Sequence, residues 1–559
     1  MRRVPAALLP HERGTRIAER ITPRWRWLAL GLILRIALSP LQHTWDSQTW
    51  WNVASELGRE PNLLNAVAAP YEHMRQLSAL AHGSGFSSYY EYWAYPPGML
   101  LLWWPVARAW FVLAGPLAER FAGPDTFTAM PIPFFLSLGM KAPIILADLV
   151  TAVLLGRLAN ASAAKWYLLN PYVLLVGAWT FDPVMVALLL AAILAAQNQR
   201  WAVAGTLLGL GAAIKFVPAL LVPVVMLYAW RVPNWSSLRS SVSRAGAGPV
   251  SSLRGAILAG AGPGSPLRAA ALAGACSVAV FGAVCVPWRD GVLYVLQFHA
   301  ARVGGGMSWQ AVWSAFTWID TFADLSAVRL FLSAQIGTLT LTGCLLIAFW
   351  LAWLRGLDLL RTSLVVLLAY LAGSKLVNEA YPLPALALAL AVIATRCGPS
   401  ASKFPANGDR SLASMRASST NGAGSIRSAW ASSASGDGSL PSVPSSSATG
   451  DGSSTSPAQP TSALGESRLV RFLWVTPLVF AALNVPAWAF ALAPAESLGL
   501  IDLETARLYH AGYILTYQYL SIVLAIIGTG FQLGCALAAW HLLRPIRSTE
   551  LVRALGTAV

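Results

Sequence analysis

Asp46 stands among tryptophans in His43-Thr44-Trp45-Asp46-Ser47-Gln48-Thr49-Trp50-Trp51, just past the first long apolar stretch of the chain. A carboxylate held in a partly dry pocket can take a proton from an attacking hydroxyl in the transition state. The same group can cap a helix that follows it, and a cap occupies only one of its two oxygens. Further along, Tyr89 to Pro97 reads Tyr-Tyr-Glu-Tyr-Trp-Ala-Tyr-Pro-Pro. This suits an aromatic belt at a membrane surface, or a platform on which the C–H faces of a hexose stack. Lys215, then His299 with Arg302 three residues on, supply cations of the kind a phosphate needs, arginine as a fork and lysine as a point charge. The plain alternative for His299 and Arg302 is a solvated loop pair. Glu379 lies beside Tyr381 and one turn from Lys375, with which it can form an ion pair. Lys141 and Asp148 are seven residues apart on one helix face. Charges inside a membrane segment are costly and conspicuous, and these two either act in chemistry or neutralise partners elsewhere in the bundle. Arg35 and Arg108 are assigned no chemistry; they snorkel or pair with an acid.

The elements that must position these residues are built for lipid. The 559 residues are 56% hydrophobic and 11% charged, with a mean hydropathy of +0.57. Apolar runs long enough to cross or nearly cross a bilayer recur along most of the chain, and they lack the alternation of barrel strands. The expected class is an all-α polytopic membrane protein. The net charge of +15 does not point to nucleic acid. Its arginines cluster before the first span (Arg2, Arg3, Arg13, Arg16, Arg20, Arg24, Arg26) and in one loop (Arg231, Arg239, Arg244, Arg254, Arg268), which is the positive-inside pattern. Both termini are expected in the cytoplasm. The five cysteines show no CxxC spacing, so neither a disulfide framework nor a zinc site is expected. A single carboxylate without a neighbouring acid or histidine is a poor divalent site, and no metal or other cofactor is expected.

Spans are expected near Trp27–Leu41, from Pro96-Pro97 to Gly115, and near Ala269–Pro287, Leu330–Leu354, Thr362–Leu376, Leu383–Thr395, Phe472–Leu492 and Tyr513–Trp540. Trp45 to Leu57 has the spacing of an amphipathic helix, with Trp45, Thr49, Val53 and Leu57 on one face. Between Phe127 and Tyr228 the apolar stretches are interrupted at Lys141-Ala142-Pro143, Asn170-Pro171, Phe181-Asp182-Pro183 and Lys215-Phe216-Val217-Pro218. Interrupted membrane helices usually line a cavity or a site. Counting back from Arg231 as cytoplasmic puts Asp182 and Lys215 on the external side, with Asp46. Glu496, Asp502 and Glu504 fall in an external loop between the last two spans. The Ser, Gly, Ala and Pro tract from Cys397 to Ser467 buries too little apolar surface to order itself.

Taken in order, these motifs resemble the polyprenyl-phosphate-sugar-dependent glycosyltransferases of the C superfamily (GT-C), above all the catalytic subunit of GPI mannosyltransferase I and its prokaryotic relatives. The likeness runs from Trp27 to Thr395. It is carried by Asp46, Tyr95-Pro96-Pro97, Lys141-Ala142-Pro143 with Ala147-Asp148-Leu149, Leu168-Leu169-Asn170-Pro171, Phe181-Asp182-Pro183, Ile214-Lys215-Phe216-Val217-Pro218, His299 with Arg302, and Lys375 to Tyr381. The resemblance implies a bundle of roughly 10–13 membrane helices with interfacial helices in the first external loop. It implies an inverting hexosyltransferase acting on the external or lumenal face, with mannose favoured over glucose. Asp46 would be its base, Lys215, His299 and Arg302 its phosphate ligands, and Tyr95, Asp182, Glu379 and Tyr381 its sugar or acceptor pocket. The implied partners are a polyprenyl- or dolichyl-phosphate sugar, a glycan or lipid-linked acceptor, and membrane lipid. In one respect the sequence departs: where GPI mannosyltransferases carry Asp-x-Asp, the residue two past Asp46 is Gln48. The implied organisation is a basic cytoplasmic N-terminus (1–26), a catalytic membrane domain (27–396), a linker (397–467), a C-terminal helix pair (468–545) and a cytoplasmic tail (546–559). A transporter or flippase of lipid-linked saccharides, or a structural assembly subunit, remain the alternatives.

Overall fold

The computed structural model describes residues 25–39, 44–83, 93–115, 134–231, 265–301, 305–311, 335–378, 380–396, 461–484 and 503–544. The chain divides into two compact units, 1–396 with 466–559, and 397–465. Within the second, only the start of a helix from Thr461 is described.

The described residues of the first unit are helical almost throughout. Helix α1 (Trp25–Leu38) is followed by α2 (Thr44–Arg59) and α3 (Leu63–Gly83). On α2 the buried face is Trp50, Val53, Ala54 and Leu57, so the expected amphipathic helix is present and carries Val53 and Leu57 inward. Helix α4 (Gly98–Ala114) starts behind Pro96-Pro97 as expected. Helix α5 (Phe134–Leu158) runs unbroken through Pro143, which corrects the expected interruption at Lys141-Ala142-Pro143. A proline removes one backbone donor from a helix, and here the flanking residues Met140, Ile144 and Ala147 keep the segment helical by burying one continuous face. The other three breaks are real. Helices α6 (Ala161–Leu169) and α7 (Pro171–Trp179) meet at Asn170, whose side chain accepts from the backbone N–H groups of Tyr172 and Val173. Helix α8 (Asp182–Gln197) follows a bend of 115°. Helix α9 (Trp201–Ile214) ends at Lys215. A 3₁₀ turn (Val217–Leu221) leads into α10 (Val222–Arg231).

After the 232–264 segment come α11 (Pro266–Cys285) and α12 (Arg289–Ala301), then α13 (Gly337–Arg355), α14 (Leu359–Gly373) and α15 (Leu383–Arg396). The last two are α16 (Thr461–Asn484) and α17 (Leu503–Leu543). Helix α16 starts inside the tract read as linker, where Ala463, Leu464 and Glu466 favour helix. Helix α17 starts well before Tyr513, so Glu504 is helical and not in a loop. An all-α expectation also omits one short parallel pairing, β1 (Gly305–Gly306) with β2 (Leu376–Val377).

Among the described residues four helical stretches are long and apolar enough to cross a membrane: Leu138–Leu158, Pro266–Ala300, Gly337–Arg355 and Val523–Leu543. The bent pair α7–α8 makes a fifth if taken as one span. Several other apolar helices are shorter than the ~20 residues of a straight crossing, among them α4, α9, α14 and α15. Trp230, Trp350 and Trp353 are exposed beside Arg231 and Arg355 at the ends of α10 and α13, and the Arg231 guanidinium stacks over the Trp353 ring at 4.3 Å. Aromatic and basic residues at one helix end are what a lipid–water boundary selects.

Among the described residues the interior comprises a small cluster of Ala213, Cys285 and Val292 and two large apolar clusters. One joins α2, α3 and α4 to parts of α5 and α12; the other joins α6, α8, α14, α15 and α17. Phe181 and Ile214 belong to the first, Met185 and Val217 to the second. The breaks after α7 and α9 therefore lie on the seam between clusters. Helices α9 and α11 pack backbone to backbone. A Cβ on Gly205 would come within 2.1 Å of the Ala273 carbonyl oxygen, and one on Gly209 within 2.5 Å of the Ser277 oxygen. Gly205 and Gly209 thus form a small-xxx-small face that lets two backbones touch. Gly282, also on α11, has open space where its Cβ would be. Gly205→Ala must displace a backbone carbonyl and is expected to cost about 1–3 kcal/mol. Gly282→Ala should instead be neutral or gain under about 1 kcal/mol. Resistance to unfolding by SDS, measured for both variants, checks the contrast.

Candidate functional site

Lys215 leaves its helix because Pro218 follows. Continuing α9 would drive the Pro218 ring into the Ile214 carbonyl. Lys215 instead takes an extended backbone (φ −154°, ψ 137°), and its side chain is free to turn toward the seam. Asp182 opens α8, with Pro183 in the first turn, a position where proline sits without cost and where the helix N-terminus favours a carboxylate. The two meet: the Lys215 Nζ donates to Asp182 Oδ1 at 2.8 Å, and both side chains are less than a tenth exposed. A buried pair of this kind demands further partners, and aromatic faces supply them. The Nζ lies 4.4 Å from the Tyr381 ring centroid, 5.5 Å from Tyr95 and 5.9 Å from Phe181. Such contacts are worth more when desolvated. Tyr381 in turn stacks on Tyr370 at 6.3 Å, and Tyr95 meets Phe181 edge-on at 4.8 Å.

The Tyr95 segment is held from three directions. Gly98 lies so close to the end of α9 that a Cβ there would come within 2.6 Å of the Ala213 oxygen. Tyr71 on α3 donates its hydroxyl to the Tyr95 carbonyl at 2.8 Å, and burial holds that phenol well above its usual pKa, so it stays protonated as a donor. A ring nitrogen of His299, near the end of α12, lies 2.7 Å from the Ala94 carbonyl oxygen. One residue on, the Ala300 carbonyl accepts from Lys375 Nζ at 2.7 Å. The end of α12 therefore ties the strand bearing Tyr95 to the one leading to Tyr381. Beside this lies an aromatic cluster in which Trp50 meets Trp103 at 4.9 Å and Phe181 at 6.1 Å, and Trp93 stacks on Phe181 at 5.9 Å.

Of the residues singled out in the sequence, the structure brings together Tyr95, Asp182, Lys215 and Tyr381. His299 is adjacent, with a ring nitrogen engaged by backbone. Asp46 is in the first turn of α2, one helical turn before Trp50; its side chain, and Arg302 and Glu379 altogether, lie outside the described residues. The ion pair of Lys215 with Asp182 was not foreseen, since each was read as a separate ligand. Nor were Phe181, Tyr370 and Tyr71; only Phe181 had a signal, its place in Phe-Asp-Pro. Lys141 and Asp148 belong elsewhere. Asp148 accepts from Arg35 Nε and from the Tyr167 hydroxyl, both at 2.8 Å, and Lys141 Nζ donates to the Ser39 carbonyl at 2.5 Å. They bind α1 to α5 and α6, the structural role weighed above. Among the described residues no group of three or more His, Cys, Asp or Glu could hold a metal ion.

No protein-family model matches the chain, and no curated protein matches it.

The pair presents one buried ammonium group to three aromatic faces. Removing one member leaves the other buried and uncompensated. Asp182→Ala or Lys215→Ala alone is expected to cost about 3–5 kcal/mol, and the double variant less than the sum of the two. A double-mutant cycle on SDS unfolding measures the coupling.

Proposed function

We propose that the chain is an integral membrane glycosyltransferase that moves a hexose, mannose in preference to glucose, from a polyprenyl- or dolichyl-phosphate to an acceptor hydroxyl on the external or lumenal face, with both termini cytoplasmic. The observation that carries this reading is the convergence of Tyr95, Asp182, Lys215 and Tyr381 around one ammonium group. These four are residues that the family resemblance marks, and they come from widely separated stretches of chain. Trp50, one turn beyond Asp46 on α2, packs on Phe181 of the same assembly, which brings the first loop into range.

The acceptor oxygen attacks the anomeric carbon on the face opposite the phosphate. The new C–O bond forms as the bond from that carbon to the phosphate oxygen breaks. Its electron pair leaves with the lipid phosphate, and the hydroxyl proton passes to Asp46, acting as general base. The departing phosphate needs charge stabilisation more than a proton, and Lys215 with His299 and Arg302 provide it. Asp182 orients Lys215 through its hydrogen bond until the donor arrives. Tyr95, Glu379 and Tyr381 shape the sugar pocket.

A second reading, a transporter or flippase of lipid-linked saccharides, draws on the sharp α7–α8 break with a buried charge at its corner. Asp46→Asn separates the two. In nanodiscs supplied with labelled lipid-phosphate mannose and glucose, it should lower transfer by about 100-fold or more while leaving the protein folded and donor binding intact. Unchanged transfer removes the assigned base. Movement of labelled lipid between leaflets, with no transfer by the wild-type chain, favours the flippase.

A further inference from the structure

The C-terminal helices lie beyond the region of family resemblance, yet α17 reaches the segment that carries Tyr381. The contact is made by Gln532, a buried amide between Phe531 and Leu533. Its Nε2 donates to the carbonyls of Leu371 at 2.9 Å and Ser374 at 2.7 Å, and its Oε1 accepts from the Trp309 backbone N–H at 2.7 Å. Leu371 and Ser374 stand at the end of α14, where helix carbonyls have no partner of their own. Inside a membrane protein such carbonyls must find a donor within the protein, and Gln532 supplies it from another helix.

From Ser374 onward each successive carbonyl is satisfied in the same manner. Lys375 O accepts from the Ser308 hydroxyl at 2.8 Å, Leu376 O from the Ser374 hydroxyl at 2.7 Å, and Val377 O from the Met307 N–H at 2.6 Å. Gly528, one turn before Gln532, lets α17 press on that same strap: a Cβ there would lie 2.8 Å from the Met307 backbone. A few residues further on, Tyr381 closes a turn onto the Asn378 carbonyl at 3.0 Å and presents its ring to Lys215. Gln532 thus joins the end of α14, the 305–311 strap and α17 at one point, directly upstream of an aromatic residue of the candidate site.

We propose that Gln532 is a positioning residue, which through its hydrogen bonds to Leu371, Ser374 and Trp309 sets the strand 374–377 and so holds Tyr381 against Lys215. That this placement serves catalysis rests on the reading of Lys215 and Tyr381 as donor-site residues. Helix α17 is then a working part of the site and more than a membrane anchor.

The test uses the full chain in nanodiscs with fluorotyrosine incorporated at position 381, read by fluorine NMR. Gln532→Met keeps the side-chain length and removes every hydrogen bond; Gln532→Glu keeps the acceptor for Trp309 and loses both donors. Both variants should shift and broaden the resonance. Thr529→Val should not, because the Thr529 hydroxyl bonds only within its own helix, to Ala525. In the transfer assay on the unlabelled chain, the Gln532 variants should raise the donor KM by about tenfold with a smaller change in kcat, as loss of ground-state binding does. A resonance unchanged in both Gln532 variants overturns the proposal, whatever the transfer assay gives. A shifted resonance in a chain that transfers no sugar at all upholds the clamp and sinks the glycosyltransferase reading instead. If Gln532→Met does not fold, Ser308→Ala carries the measurement: removing its single bond to Lys375 should move the same resonance in the same direction by less, and no movement overturns the proposal.

Discussion

An ammonium group taken out of water has to be answered, and the candidate site is organised around that requirement at Lys215. Its helix stops where Pro218 forbids another turn. The freed side chain meets a carboxylate stationed at the start of the preceding helix, and three aromatic faces stand around it. Because the clusters on either side of the seam contribute different walls, Tyr95 and Phe181 from one and Tyr381 with Tyr370 from the other, the charge can be satisfied only when both halves of the bundle are assembled. Burial of one cation thereby couples segments with no local reason to approach one another.

The parts legible in the sequence were those with a local cause. Asn170-Pro171, Asp182-Pro183 and Lys215 to Pro218 announced their breaks, since proline acts on the backbone within four residues of itself. Pro143 shows where that logic ends: the same residue type sits inside a continuous helix because its neighbours bury one unbroken face. Helix boundaries at α16 and α17 slipped for a related reason, as composition marks where lipid begins and not where hydrogen bonding starts. The candidate residues Tyr95, Asp182, Lys215 and Tyr381 were legible as a set, but their pairing was not. An ion pair between residues 182 and 215 is decided by two helix ends in space, and no periodicity encodes it. Tyr370, Tyr71 and Gln532 sit in apolar or mixed runs where nothing local distinguishes them.

Two groups of polar side chains inside this bundle stand in contrast. Arg35, Asp148, Tyr167 and Lys141 consume one another or nearby carbonyls at the junction of α1, α5 and α6, and their effect is to lock helices. The group around Lys215 is different in composition: one ion pair, surrounded by rings and by backbone held from outside by Tyr71, His299 and Lys375. The first arrangement is what assembly in lipid demands of stray charges; the second leaves flat apolar faces beside a cation.

The glycine contacts between α9 and α11 have a mechanical corollary. With two backbones touching at Gly205 and Gly209 and no side chain between them, sliding or rolling of either helix at that joint is opposed by main-chain contact. Since α9 ends at Lys215 and α11 runs on toward the helix bearing His299, the two basic groups are mounted on one stiff bracket. Any opening of the bundle must therefore part it along some other line.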